Sequence, residues 1–145
     1  MRITTQGDYA LKCMLNIAKN GQNKPVSISR MVEEDSLPLD YIQQLLMKLR
    51  RRKLIKSIRG ATGGYLLNRK PSEISVKDVL EAVEGEAFEV ICLRSKNLKK
   101  SCNKGSDCVL KNVWHNLKRH IDQYLEKETI GTLLARSQKK HDPLA

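Results

Sequence analysis

The sequence predicts a mainly α-helical chain carrying one small β-hairpin, on three observations. Apolar residues recur at helical spacing through several successive segments. Two short runs of strand character flank the turn Arg59-Gly60-Ala61-Thr62-Gly63-Gly64. A long apolar stripe, from Leu110 to Leu125, lies near the C-terminus.

The first helix is expected from Thr5 to Lys19, with Tyr9, Ala10, Cys13, Met14, Ile17 and Ala18 on its apolar face. Thr4 or Thr5 can cap its start, and Asn20-Gly21 ends it. Ser27 is a good cap for a short helix from Ile28 to about Glu34. A turn through Asp35, Ser36, Leu37 and Pro38 leads to a further helix, about Leu39 to Arg52. Its expected buried stripe is Leu39, Ile42, Leu45, Leu46 and Leu49. Two short helices joined by such a turn are the signature of a helix-turn-helix. The alternating run Lys53 to Ile58 and the less clean Tyr65-Leu66-Leu67 supply the hairpin. Three helices and then a hairpin make a winged helix-turn-helix domain.

After Pro71, Ser75 caps a helix through Val76, Val79, Leu80 and Val83 that stops at Gly85. The lysine-rich stretch 86–107 reads as irregular. A long helix, about Asp107 to Lys127, then presents Leu110, Val113, Trp114, Leu117, Ile121, Tyr124 and Leu125 close to a 3,4 spacing. Such a stripe outside a compact domain needs a partner, and a second copy of the chain is the simplest one. A short helix, Ile130 to Arg136, follows, and the tail from Ser137 onward is expected to be disordered. The expected organisation is therefore a winged-helix DNA-binding domain (1–85), a cysteine-containing loop (86–107), a dimerisation helix with a C-terminal helix (108–136), and a tail (137–145).

Charge narrows the function. With 27 Lys+Arg against 16 Asp+Glu in 145 residues, the formal net charge is +11, which favours a polyanionic partner. One Trp, one Phe and four Tyr supply few platforms on which single-stranded bases can stack. Duplex DNA, whose backbone needs only lysine and arginine, is the better fit. No apolar run approaches the ~20 residues of a membrane span, and the N-terminus lacks the plan of a signal peptide. The expected location is the cytoplasm.

The twelve residues from Lys48 to Arg59 hold seven basic side chains and no acid: Lys48, Arg50, Arg51, Arg52, Lys53, Lys56 and Arg59. They span the end of the expected recognition helix and the first wing strand, the elements that face phosphates in such a domain. Cations at a helix C-terminus also suit the dipole when merely solvated. Base reading is expected from Asp40, Tyr41, Gln43 and Gln44: Gln pairs with adenine, Asp accepts from cytosine, and Tyr reaches phosphate or a thymine methyl. Arg59, Gly60, Thr62 and Gly63 form the wing contact, with room for close backbone approach and an arginine in the minor groove. No Ser/His/Asp or Glu/His arrangement, phosphate loop or matched carboxylate pair stands out. Neither enzymatic activity nor a small-molecule substrate is expected.

Of the four cysteines, Cys13 belongs to an apolar helix face, whereas Cys92, Cys102 and Cys108 fall within seventeen residues as C-x9-C-x5-C. Read by themselves, three such thiols can hold an iron–sulfur cluster, bind zinc, or oxidise. Arg94, Lys96, Lys99, Lys100 and Lys104, with the start of a long helix, favour the thiolate form that ligates metal. His115 lies seven residues past Cys108, about 10 Å along a helix, and reads as solvent-facing. His120 and His141 carry no partner signal.

Several stretches together resemble the Rrf-type family of bacterial winged-helix regulators, the IscR- and NsrR-like iron–sulfur transcription factors. They are Met1-Arg2-Ile3-Thr4, Asp8-Tyr9-Ala10-Leu11, Asp40-Tyr41-Ile42-Gln43-Gln44-Leu45, and Ser57-Ile58-Arg59-Gly60 through Gly63-Gly64-Tyr65-Leu66-Leu67. The three cysteines, Val113-Trp114 and Thr129-Ile130-Gly131-Thr132-Leu133 complete the match, which covers residue 1 to about 135. The resemblance implies a homodimer with crossed long helices, a palindromic duplex operator, and a cluster whose state changes DNA affinity. It also implies Cys92, Cys102 and Cys108 as ligands, with Asp8 of the partner subunit's first helix as a candidate fourth. Two departures stand out. The first cysteine spacing is longer than in relatives, and Lys111 occupies the position where IscR-like proteins carry a histidine. Asp8 points to a 4Fe–4S form, and the altered spacing keeps 2Fe–2S open. Two other readings stand beside it: a cluster-free regulator controlled by a partner protein or thiol oxidation, and a zinc-stabilised RNA-binding module. The arginine-bearing wing argues against the second.

Overall fold

A computed structural model describes residues 3–86, 88–89 and 108–140. Helix α1 (Thr5–Asn20) starts where the Thr4 hydroxyl accepts from the Gln6 N–H, and buries Ala10, Cys13, Met14 and Ile17. Helix α2 (Ile28–Asp35) is capped by Ser27 in the same way. It ends at Ser36, whose left-handed backbone (φ 52°) redirects the chain at once into α3 (Leu39–Arg51). Pro38 fixes the entry to α3, and Ile42, Leu45, Leu46 and Leu49 then face the core.

Lys53, also at positive φ (57°), turns the chain out of α3 into β1 (Ile55–Ile58). This strand pairs antiparallel with β2 (Gly64–Leu67) in the register Ile55 to Leu67 and Ile58 to Gly64. The wing is pinned to the body by a two-residue bridge. Val26 and Tyr65 each donate a backbone N–H to the other's carbonyl at 2.9 Å. A short 3-10 turn (Pro71–Glu73) then leads to α4 (Val76–Glu84), which opens on a reciprocal capping box between Ser75 and Asp78.

Helix α5 (Val109–Lys127) is followed by α6 (Ile130–Lys140). The junction between them returns to the body. Val76 donates to the Glu128 carbonyl at 2.7 Å, and Ile130 to that of Ile74 at 2.9 Å. Ile130 lies fully buried in the same apolar cluster as Met14, Leu45 and Leu46. The C-terminal end of α5 and the start of α6 thus belong to the core of the winged-helix body, although sequence order alone sets them apart from it. Among the described residues no helix is long and apolar enough to cross a membrane.

Two expectations differ. Leu39 is half exposed rather than part of the buried stripe, because periodicity assigns a helix face but not how far neighbouring helices reach along it. The last helix runs through Ser137 to Lys140 instead of stopping at Arg136. The Ser137 hydroxyl bonds the Leu134 carbonyl at 2.7 Å, and Lys139 and Lys140 suit the negative end of the helix.

Candidate nucleic-acid interface and cysteine segment

Core packing decides which side chains of α3 are left for a partner. With Ile42, Leu45, Leu46 and Leu49 turned inward, Asp40, Gln43, Gln44 and Met47 stand exposed on the opposite side. Tyr41 behaves differently from these. It is partly buried and meets the Tyr9 ring of α1 edge-on, with centroids 5.6 Å apart. Arg50 and Arg51 are exposed at the end of α3, and Arg52, Lys53, Lys56 and Arg59 continue the exposed cations into the wing. Arg50 reaches Ser57 on β1 at 3.5 Å, which ties the helix end to the wing.

The wing turn is built from its glycines in two distinct ways. A Cβ at Gly63 would sit 2.2 Å from the Ile58 carbonyl oxygen, so that glycine serves the turn itself. Gly60, at φ +124°, has open space around it, and with exposed Arg59 and Thr62 it forms the outer face of the wing.

Lys48 is placed unlike its basic neighbours. Its ammonium, only partly exposed, donates to the Val83 carbonyl and to Gln6 Oε1, each at 3.1 Å. Gln6 Nε2 donates to the same Val83 carbonyl. Beside this contact, Glu84 Oε1 accepts from the Thr4 N–H (3.1 Å), the Thr4 hydroxyl (2.6 Å) and the Gly7 N–H (2.8 Å). Sequence reasoning singled out neither Gln6 nor Glu84. Their signal is long-range, since Gln6 and Val83 lie 77 positions apart.

Of the candidate cluster ligands, Cys92 and Cys102 lie outside the described residues. Cys108 is the N-cap residue of α5, half-buried and without a side-chain cap bond, so its sulfur sits at the positive end of a helix. Asp8, in the first turn of α1, is exposed and paired with Lys12 at 2.9 Å. The same hydrogen bond and charge raise the Lys12 pKa above its ordinary value, and its ammonium lies 5.5 Å from the centre of the Tyr9 ring. Among the described residues no three Cys, His, Asp or Glu side chains gather into a metal-sized group. The donor types nonetheless fit a thiolate-held cluster, with three cysteines close in sequence and one of them at a helix start. His115 is exposed on α5, and His120 bonds the Asn116 carbonyl at 2.7 Å. Cys13 is buried in the core, and that burial pushes its thiol pKa up to about 12.

Helix α5 has two dissimilar sides. One is held to α4 by ions. Lys77 bonds Glu126 at 2.6 Å and approaches Asp122 at 3.7 Å, while Lys118 bonds Asp122 at 3.1 Å and the Phe88 carbonyl at 3.2 Å. These carboxylates, Glu126 first, raise the Lys77 pKa. The other side exposes Leu110, Val113, Trp114, Leu117 and Tyr124.

Comparison with known proteins agrees with this arrangement. Residues 3–136 match the family described as Rrf2, iron-dependent transcriptional regulator. The HTH-type transcriptional regulator IscR of Aliivibrio salmonicida is 34% identical over 134 residues, covering 92% of this chain and 77% of the relative. The solved structure of T. potens IscR superposes with a TM-score of 0.76 at 30% identity, over 97% of this chain and 91% of that one. CymR of B. subtilis, described as the global cysteine regulator, superposes with a TM-score of 0.78 at 27% identity, over 94% and 98%. These relatives are transcription regulators rather than enzymes, and DNA is the partner that such a family implies. The chain belongs to the Rrf2 family of transcriptional regulators.

Proposed function

We propose that this regulator is a cytoplasmic homodimer that reads a palindromic duplex operator and answers to the state of an iron–sulfur cluster. The observation that carries the DNA reading is the shared exposure of α3 and the wing. Asp40, Gln43 and Gln44 offer hydrogen-bonding groups for base edges, and Arg50, Arg51 and Arg59 offer cations for phosphate. Among the described residues no ion pair occupies these three arginines. Arg59, Gly60, Thr62 and Gly63 form the wing contact, and Tyr41 contributes from the start of α3. The exposed stripe of α5 supports the dimer, because an apolar face of that length needs cover.

Cys92, Cys102 and Cys108 would hold the cluster, with Asp8 of the partner subunit's first helix as the fourth ligand. A bound cluster supplies a charge and a ligand set that change with iron–sulfur supply, oxidation or nitric oxide. The chain's own part is to present thiolates and to release Asp8 from Lys12. Protein purified without air should be brown and contain iron and sulfide. A colourless, iron-free protein after attempted reconstitution would remove the cluster. The Asp8→Ala variant should change the anaerobic absorbance and Mössbauer spectra, and an unchanged spectrum takes Asp8 out of the ligand set. A palindromic duplex should outcompete random duplex at about 150 mM salt, where nonspecific binding weakens.

A second reading keeps the DNA binding and replaces the cluster with a partner protein or thiol oxidation. The similarity to the structure described as a global cysteine regulator favours it. Unaltered control of DNA binding after changing Cys92, Cys102 and Cys108 to Ala would support control by a partner protein.

A further inference from the structure

The exposed large apolar side chains are not spread evenly over the molecule. Among the described residues outside α5 they are Ile3, Leu39, Met47 and Ile58. Leu39 and Met47 belong to α3, and Ile58 ends β1 beside Arg59. Three of the four therefore lie on the elements that face DNA in the reading above. A single exposed apolar side chain needs no explanation. This grouping, however, coincides with the exposed cations from Arg50 to Arg59.

On α3 the two residues hold a definite place. Met47, 42% exposed, is three residues past Gln44 and four past Gln43, so it adjoins both on the outer face. Cα–Cβ bonds tilt toward the start of a helix, which carries the Met47 thioether toward those glutamines rather than toward Arg51. Leu39, 50% exposed, is four residues before Gln43. Gln43 thus stands between two apolar neighbours along one ridge, and Arg50 and Arg51 follow within a turn of Met47.

Neither side chain has a charge or a donor to offer phosphate. In the major groove the thymine C5-methyl is the apolar group, and it lies on the same base-pair edge as adenine N6 and N7, with which glutamine pairs. Methionine, flexible and polarisable, moulds itself to such a group. We propose that Met47 and Leu39 read thymine methyl groups on either side of the base met by Gln43, and so help set the sequence preference of the operator. The neighbouring arginines fit this face to a nucleic acid rather than to a second copy of a chain whose formal charge is +11. This inference rests on the DNA-reading function proposed above and holds whatever controls that binding.

The test uses a duplex selected from a random pool by the wild-type chain, with each thymine then replaced in turn by deoxyuridine. Deoxyuridine keeps the base pair and the sugar and lacks only the methyl. Wild type should lose about fourfold at each methyl-reading position, the worth of one methyl-sized group withdrawn from water. Met47→Ala should bind the all-thymine duplex more weakly by about the same factor, and be indifferent to uracil at one of these positions. Leu39→Ala should be indifferent at the other. A 5-methylcytosine–guanine pair at the Met47 position should bind wild type better than the unmethylated pair, and Met47→Ala should not distinguish them. Both variants should keep the wild-type salt slope, since no charge is lost. Both should also keep its thermal midpoint, since the two side chains are exposed.

A wild type blind to uracil at every position overturns the proposal. A full uracil penalty retained in one variant removes that residue from the assignment, and retained in both overturns it. Equal weakening of Met47→Ala on the selected and on random duplexes would show a backbone contact and overturn the methyl reading. Altered sedimentation of Met47→Ala with intact DNA affinity would assign the face to a protein contact, against the proposal. In each of these cases the DNA reading stands. Failure of the wild-type chain to enrich any duplex from the pool removes that reading, and this inference with it.

Discussion

Helices α3 and α5 carry the same kind of apolar stripe and meet opposite fates. On α3, Ile42, Leu45, Leu46 and Leu49 are at most 1% exposed, packed within their own chain. On α5, Leu110, Val113, Trp114, Leu117 and Tyr124 are between 40% and 64% exposed. Amphipathic spacing thus identifies a face that needs burial without saying which molecule provides it. The polar sides differ as well. That of α3 is left open for a ligand, whereas that of α5 is clamped to α4 through Lys77, which meets Asp122 and Glu126.

The two stripes differ most in what their loss should do, beginning with α5. Replacing Val113 and Leu117 together by Glu should convert the proposed dimer to monomer in sedimentation equilibrium and leave the thermal stability of the body nearly unchanged. Operator affinity should fall on the order of 10²–10⁴-fold, the usual gain from linking two binding modules. Persistence of the dimer would mean that the stripe is covered in some other way. The corresponding change on α3 should act on folding instead. Leu46→Ala is expected to cost about 2–5 kcal/mol in urea unfolding through cavity formation.

A smaller effect is expected at the ionic side of α5. Lys77→Met should destabilise on the order of 1 kcal/mol, since Glu126 loses its cation and Asp122 keeps only Lys118. High salt should shrink the difference from wild type.

A pH-dependent effect concerns Cys13, the thiol buried in the core. Its folded pKa of about 12 lies above the ordinary value of 9.0, so the folded state retains a proton that the unfolded state releases. The stability linked to this thiol is complete below pH 9.0 and is lost as pH rises toward about 12. Wild type should therefore lose stability faster than Cys13→Ala across that window. At pH 8, iodoacetamide should label Cys108 and spare Cys13 in the folded protein. Rapid labelling of Cys13 would contradict its burial.

Much of this organisation was legible in the sequence, because local chemistry sets it. Ser27 and Ser75 cap their helices as expected, and Thr4 takes the cap of α1 in preference to Thr5. The wing follows from alternating residues around a glycine turn, and the exposure of Asp40, Gln43 and Gln44 follows from the phase of α3. The cation run is visible directly. Lys48 reads as part of that run because charge and spacing are local properties, whereas its partners, Gln6 and Val83, come from distant parts of the chain. Tyr41 reads with the base-facing residues for the same reason, and its contact with Tyr9 emerges only when α1 and α3 pack.

The kinds of element, their order, and the presence of a second apolar stripe with no obvious home are all readable along the chain. Those features follow from side-chain periodicity, capping and turn chemistry, which act over a few residues. Packing between distant segments brings Ile130 back to the core, leaves Leu39 outside it, and turns Lys48 to Val83 while Arg50 stays exposed. Each of these depends on where one helix ends against another, and periodicity along a single helix carries no record of that distance.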